Sequence, residues 1–242
     1  MIPITILQSA ANVRPDWVSR CMASVANWSK RQGYHYQCIG DELFDWVTPE
    51  LRIKLHDRTP ILADLARLRW IESELAVRGG LVVWIDADTL VVDPAWSVPD
   101  SEHTVFGEEC WVQPTAEGSW RAYQSPHNAF MGFKAASPVL GFLAFLSESV
   151  IERADAAHIA PQMVGPKLLK ALNNLAQFTL VPEAGAVSPE LLAEWVGEGG
   201  AATACYEQAI QVPLALVNLC SSLTHSEEAL RRVGQFLSRH GA

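Results

Sequence analysis

Gly79-Gly80-Leu81-Val82-Val83-Trp84-Ile85-Asp86-Ala87-Asp88 is the stretch whose reading decides the fold. Five consecutive apolar residues bounded by turn signals predict a strand buried on both faces, the signature of a central strand in a parallel α/β sheet. In open sheets of that kind ligands bind in the crevice beyond the carboxyl ends of the strands. Asp86 and Asp88 fall there. Two carboxylates one residue apart form half of a site for a hard divalent cation, Mg²⁺ or Mn²⁺, which completes its shell with phosphate oxygens and water. Asp also ends many strands in plain turns, so placement carries more weight than the tripeptide.

Upstream, Thr59 as N-cap, Pro60 at the first helical position and Gly79-Gly80 just past the end predict a helix of about five turns. Its apolar stripe is Ile61, Leu65, Leu68, Ile71 and Leu75. At about 100° per residue Asp64 falls in that stripe and Arg67 at its edge, so two charges face inward. Charges in an apolar sector must pair or meet a polar ligand to offset desolvation. Asp64 and Arg67 could pair at i, i+3, or accept and donate hydrogen bonds to a sugar or phosphate.

The preceding residues alternate between strand-like and helix-like segments: a strand at Ile4 to Leu7, a helix at Pro15 to Arg31, a strand at Tyr34 to Ile39 and a helix opening at Thr48-Pro49-Glu50. That order predicts βαβ organisation. Leu90-Val91-Val92 continues extended until Asp93-Pro94. Thr104-Val105-Phe106 and Phe130 to Phe133 are further strands. Helices are expected over Val139 to Arg153, Pro166 to Asn174 and Glu227 to Arg239, and the Gly/Ala-rich stretch from Glu194 to Ala204 reads as a loop.

The chain has 242 residues, 49% hydrophobic and 19% charged, enough for one sizeable core and predicting a single domain over 1–242. A net charge of −9 argues against nucleic acid, which needs a basic footprint, and against a strongly anionic membrane. No run approaches the ~20 apolar residues of a transmembrane segment, and Met1-Ile2-Pro3-Ile4-Thr5 lacks a basic n-region. The expectation is a cytoplasmic protein, a peripheral position at the inner membrane face included. Cys21, Cys38, Cys110, Cys205 and Cys220 show no C-x-x-C spacing and predict reduced thiols.

Further candidates lie downstream. Asn128, after Pro126-His127 and ahead of a strand, is placed to contact a sugar or acceptor, or to serve as a turn Asn. Gly165-Pro166-Lys167 opens a helix whose free N–H groups and Lys167 suit an anion, or is an ordinary helix start. Glu108 and Glu109, after the strand at Phe106, are acceptor-side candidates or a solvated pair. Trp111 and Trp120, expected in an irregular loop, are candidate platforms for a sugar face.

Taken in order, Ile2-Pro3 with Gln8, Gly33-Tyr34-His35-Tyr36 with Asp41-Glu42, Asp64-x-x-Arg67, Gly79-Gly80 and Asp86-x-Asp88 resemble glycosyltransferases with a DXD sugar-binding region, related to capsular polysaccharide transferases and fungal α-mannosyltransferases. Asn128-Ala129-Phe130-Met131, Gly165-Pro166 and His225 continue the resemblance more loosely. It implies a GT-A-like α/β fold, a Rossmann-type mixed, mostly parallel sheet flanked by helices. It also implies a nucleotide-sugar donor, a divalent metal and retaining transfer to a carbohydrate or glycolipid hydroxyl, in surface polysaccharide or glycolipid synthesis. Asp64, Arg67 and Asn128 would then act at the transferring sugar. Gln8, Asp64, Arg67, Asp86 and Lys167 would hold the donor. Asp86, Asp88 and His225 would hold the metal, Asp88 more directly. Two alternatives stay open: a non-catalytic nucleotide-sugar-binding protein, and a haloacid-dehalogenase-type phosphatase, whose D-x-D-x-T opening Asp86-Ala87-Asp88-Thr89 resembles with the Thr one residue early.

Overall fold

The computed structural model describes residues 2–155, 158–160, 162–197, 200–210 and 212–220. His225 and the helix expected over Glu227 to Arg239 lie outside them. The strands are β1 (Ile4–Ser9), β2 (His35–Ile39), β3 (Leu81–Ile85), β4 (Thr89–Val91), β5 (Thr104–Pro114), β6 (Trp120–Lys134), β7 (Leu180–Val187) and β8 (Leu216–Asn218). The helices are α1 (Asp16–Gln32), α2 (Pro49–Lys54), α3 (Thr59–Arg78), α4 (Pro138–Arg153), α5 (Pro166–Ala176), α6 (Pro189–Gly197) and α7 (Ala201–Ala209), with a 3₁₀ turn at Asp41–Trp46. The strands form one eight-stranded sheet in the order β2-β1-β3-β6-β5-β7-β8-β4. β1 pairs in parallel with β2 and β3, and β7 with β5 and β8, while β3–β6, β5–β6 and β4–β8 are antiparallel. The α/β class with a mixed, mostly parallel sheet is therefore as expected.

β3 is buried on both faces because its pleat feeds two cores. Val82 and Trp84 join Leu7, Phe106 and Met131 under α3, α4 and α5. Leu81, Val83 and Ile85 point the other way, to Val25 and Trp28 of α1. A third cluster packs the first turns of α1 with α6, α7 and the far half of β5.

The sheet cannot be flat. β3 and β4 are five strand spacings apart in the sheet order, roughly 24 Å at about 4.8 Å each, yet only Asp86-Ala87-Asp88 separates them in the chain. Four Cα steps from Ile85 to Thr89 reach about 14 Å when fully extended. The sheet curls until its β4 edge returns towards the end of β3, and the Asp-x-Asp tripeptide crosses that seam.

Several expectations are corrected. Arg58, without a side-chain cap, is the N-cap of α3, and Thr59 is already helical. The stretch from Glu194 to Ala204 contains helix where a loop is expected. It ends α6 and begins α7, and the Glu194 carboxylate caps the second helix by accepting from the N–H groups of Ala202 and Thr203 at 3.0 and 2.8 Å. Trp111 and Trp120 lie on the β5–β6 hairpin, whose long antiparallel ladder runs from Glu108↔Pro126 to Pro114↔Trp120. Glu108 and Glu109 lie within β5, and Asn128 lies inside β6.

Among the described residues no helix is long and apolar enough to cross a membrane. All five cysteines are free.

Gly80 carries the turn from α3 into β3 at φ +70°, where a Cβ would stand 2.2 Å from the Pro3 carbonyl oxygen. Gly33 ends α1 at φ +74° with nothing within 4 Å of such a Cβ. Gly33→Ala is expected to cost about 1 kcal/mol from left-handed backbone strain alone, and Gly80→Ala about 3 kcal/mol because crowding adds to strain. Urea unfolding of the two variants measures the difference.

Candidate active site

Beyond the carboxyl end of β3 lies a pocket of about 630 Å³. Asp64 and Arg67 of α3, Asp86 and Asp88 of the seam, and Asn128 of β6 all line it. These five sequence candidates come together from three elements.

Arg67 organises one wall. Its Nη2 donates to Asp64 Oδ1 at 2.6 Å, its Nη1 to Asp86 Oδ1 at 2.9 Å and to the Asn128 carbonyl at 3.0 Å. Its guanidinium also lies 5.2 Å from the centre of the Trp84 ring. Asn128 Nδ2 donates to Asp64 Oδ1 at 2.7 Å. Asp86 Oδ1 accepts a second hydrogen bond, from Trp84 Nε1 at 2.5 Å, and the Asp86 N–H donates to Ala129 at 2.8 Å. Asp64 and Arg67 are each 7% exposed, so their charges work in a poorly solvated setting. Burial pushes the Asp64 carboxyl above the usual carboxylate range, with like charge on Asp86 adding to it and Arg67 and Asn128 opposing.

Asp88 is held from the opposite side of the seam. Asn218 of β8 donates to its Oδ1 at 2.6 Å, and the Leu219 N–H donates to its carbonyl at 3.0 Å. Gly165, the N-cap of α5, closes over Asp64 and Asn128. A Cβ there would fall 2.5 Å from Asp64 Oδ2 and 2.9 Å from Asn128 Nδ2, so only glycine permits that approach.

Two candidates lie off the pocket wall. Gln8 is fully buried, its Nε2 donating to the Asp86 carbonyl at 3.2 Å and its Oε1 accepting from the Tyr36 hydroxyl at 2.9 Å. It braces the Asp86 backbone. Lys167 is exposed on the first turn of α5, while its neighbour Pro166 is in the wall. Trp111 lines the pocket, as does Glu109, whose carboxylate accepts from Ser125 Oγ at 2.6 Å. Trp120 does not line it, lying instead beside the third core.

Sequence reasoning missed Asp57, Arg58, His127, Asn218 and Cys220, all of them in the wall. Asp57 and Arg58 precede the α3 start and were findable as the polar pair ahead of Pro60. Asn218 and Cys220 reach the pocket through β8, a three-residue strand with no periodic signal of its own.

The donor set suits a hard cation. Five carboxylates and two guanidiniums line the pocket, an excess of three negative charges. Burial and the charge of Asp88 push the Cys220 thiol up to about 12, so the free thiol is protonated at neutral pH. Among the described residues no three His, Cys, Asp or Glu side chains gather into a ligand set. Asp86 and Asp88 are the described side chains that could contribute to a metal shell, since Mg²⁺-type ions bind with one or two carboxylates, water and substrate phosphates.

No protein-family model and no curated protein sequence matches this chain. Among solved structures, a glycosyltransferase involved in the glycosylation of the major capsid of PBCV-1 is similar at 10% identity and a TM-score of 0.48, covering 97% of this chain and 98% of that one. Similarity of that degree fixes neither activity nor substrate.

Arg67→Met leaves the Asp64 carboxylate buried and uncompensated, and is expected to cost about 3–5 kcal/mol in urea unfolding. Asp64→Asn in the same background removes the stranded charge and restores part of that loss. The raised Asp64 pKa has a definite sign. Its contribution to stability is present below the ordinary carboxylate range and is lost as pH rises through the elevated value. Wild type should therefore lose stability relative to Asp64→Asn across that interval, as followed by unfolding at stepped pH.

Proposed function

We propose that this chain is a metal-dependent, GT-A-like glycosyltransferase that moves a sugar from a nucleotide-sugar donor to a carbohydrate or glycolipid hydroxyl. The observation that carries it is the convergence of Asp86 and Asp88 with Asp64, Arg67 and Asn128 on one pocket. Asp86 and Asp88 would hold Mn²⁺ or Mg²⁺, with His225 a further ligand by the sequence resemblance. The cation would supply the positive charge that stabilises a departing diphosphate.

The protein's own groups do the rest. Asp64 accepts hydrogen bonds from donor-sugar hydroxyls, while Arg67 and Asn128 fix the carboxylate that accepts them. Gly165 and the start of α5 exclude water above Asp64. Trp111 offers a flat apolar face and Glu109 a carboxylate acceptor on the β5 side, where the acceptor sugar would lie. Retention of configuration and a role in surface polysaccharide or glycolipid synthesis come with the resemblance in the Asp64-x-x-Arg67, Gly79-Gly80 and Asp86-x-Asp88 set.

The test is release of nucleoside diphosphate from UDP-glucose, UDP-galactose and GDP-mannose with Mn²⁺, with and without chelator. A donor in this panel should be hydrolysed only with metal. Asp88→Asn, which keeps an oxygen for Asn218, should lower the rate by about 100-fold or more. Wild-type turnover by that variant would refute the metal role. Calorimetric donor binding with metal but without turnover would instead favour a non-catalytic nucleotide-sugar-binding protein.

A further inference from the structure

Among the described residues, His127 is the one buried titratable side chain of the pocket that the proposed chemistry leaves unused. We propose that it is a positioning residue: held as its Nε2–H tautomer, its ring locks together two strand bulges and thereby sets Asp64, Arg67 and Asp86 against Asp88. The inference rests on the glycosyltransferase reading for its consequence in activity, and on geometry alone for the lock itself.

Both ring nitrogens are committed. Nε2 lies 2.9 Å from the Ala184 carbonyl, which can only accept, so Nε2 carries the proton. Nδ1 accepts the Ala129 N–H at 3.2 Å, so it carries none. One neutral tautomer satisfies both bonds, and the side chain is 3% exposed.

What those two bonds join is unusual. Along β5, Phe106 pairs with Met131 but Gly107 pairs with His127, so β6 steps over residues 128–130. On the other side of β5, Gly107 pairs with Val181 but Glu108 with Gly185, so β7 steps over residues 182–184. Both register breaks fall at Gly107, and the His127 ring ties one excursion to the other.

Each excursion carries one half of the site. Asn128 and Ala129 hold Asp64, Arg67 and Asp86 through the three bonds already described. Ala184 and Ala186 pair with Leu216 and Asn218 of β8, and Asn218 holds Asp88. Gly107 makes the lock possible. A Cβ there would stand 2.2 Å from His127 Nε2 and 2.5 Å from the Ala184 oxygen.

Three groups favour the imidazolium, namely the Ala184 carbonyl and the carboxylates of Glu109 and Asp86, but burial outweighs them and holds the pKa below the ordinary histidine value.

Two measurements test the lock. Ring-¹⁵N histidine NMR on the wild-type protein between about pH 5.5 and 8 should show His127 neutral with the proton on Nε2. An imidazolium or an Nδ1–H signal at neutral pH would overturn the inference. This readout needs no substrate, so it decides the tautomer whether or not the glycosyltransferase reading survives.

The second measurement is donor hydrolysis with the active member of the nucleotide-sugar panel. His127→Asn places an amide oxygen near the Nδ1 position but does not reach Ala184, so it cuts the tie from the other side. His127→Gln reaches Ala184 but not Ala129, and Gly107→Ala displaces the ring. All three should lower kcat about tenfold or more with donor KM little changed, because small misplacement of reacting groups is costly. Wild-type kcat in either His127 variant, or kcat losses that disappear once the fraction of folded protein is taken into account, would overturn the positioning role. Absence of turnover in wild type overturns the glycosyltransferase reading and, with it, this role in catalysis, while the NMR result still decides the lock.

Discussion

The reach of three residues constrains everything around the pocket. Asp86-Ala87-Asp88 must carry the chain from the middle of the sheet to its far edge, and it can do so only if the sheet curls back on itself. The separation of the two carboxylates is therefore a property of sheet closure, not of the tripeptide. Asp86 is fastened to the β3 side, through Arg67, Trp84 and the β6 backbone. Asp88 is fastened to the returning edge, through Asn218. Anything that changes how tightly the sheet closes changes how the pair can share a ligand.

Closure also explains where the irregular backbone lies. A sheet that bends sharply needs extra residues on the outer path of the bend, and bulges supply them while increasing local twist. β6 and β7 both bulge opposite Gly107, the residue of β5 with no side chain to obstruct them. Pro126 sits just before the β6 excursion, a position where the missing N–H is tolerated. The same bulge pushes Asn128 out of the ladder and over α3, where its carbonyl and amide meet Arg67 and Asp64. A polar side chain thus enters a buried site with its amide nitrogen and its backbone carbonyl both paired.

The near wall of the site was legible in the sequence because its signals are local. Leu81 to Ile85 needs no partner to be recognised as a doubly buried strand, and Asp64 and Arg67 betray themselves by standing in the stripe of Ile61, Leu65, Leu68 and Ile71, all of which are buried. The far wall was not legible. β7 reads Leu-Val-Pro-Glu-Ala-Gly-Ala-Val, with a proline and small residues that argue against a strand, and it exists because β5 offers a ladder 74 positions earlier, Phe106↔Leu180. β8 is three residues held between β7 and β4. The Gly/Ala-rich run near Glu194 concealed two helices because its helix start is capped by a side chain eight residues upstream, Glu194 to Ala202. Trp111 looked like a loop residue for the same reason: alternation along β5 becomes meaningful only once β6 and β7 flank it.

The charge arrangement gives the pocket its chemical direction. Arg67 is shared by Asp64 and Asp86, so neither carboxylate is fully neutralised, and Asp88 lies across the seam from that cluster. Two carboxylates around one guanidinium in a poorly solvated site repel each other more strongly than they would in water. Burial has already raised the Asp64 carboxyl, which places the strain of that repulsion on the most enclosed member. Asp86 differs. Its side chain is 28% exposed, and with Oδ1 committed to Arg67 and Trp84 its second oxygen accepts no hydrogen bond among the described residues. Arg67 thus divides the two acids by role: Asp64 is locked by Arg67 and Asn128 into a fixed acceptor, whereas Asp86 keeps an oxygen for a ligand. On the proposed metal-dependent reading, a cation held by Asp86 and Asp88 would relieve the remaining repulsion and let an anionic substrate enter a pocket whose own charge opposes it. On that reading the metal would bind before, or together with, any phosphate-bearing ligand.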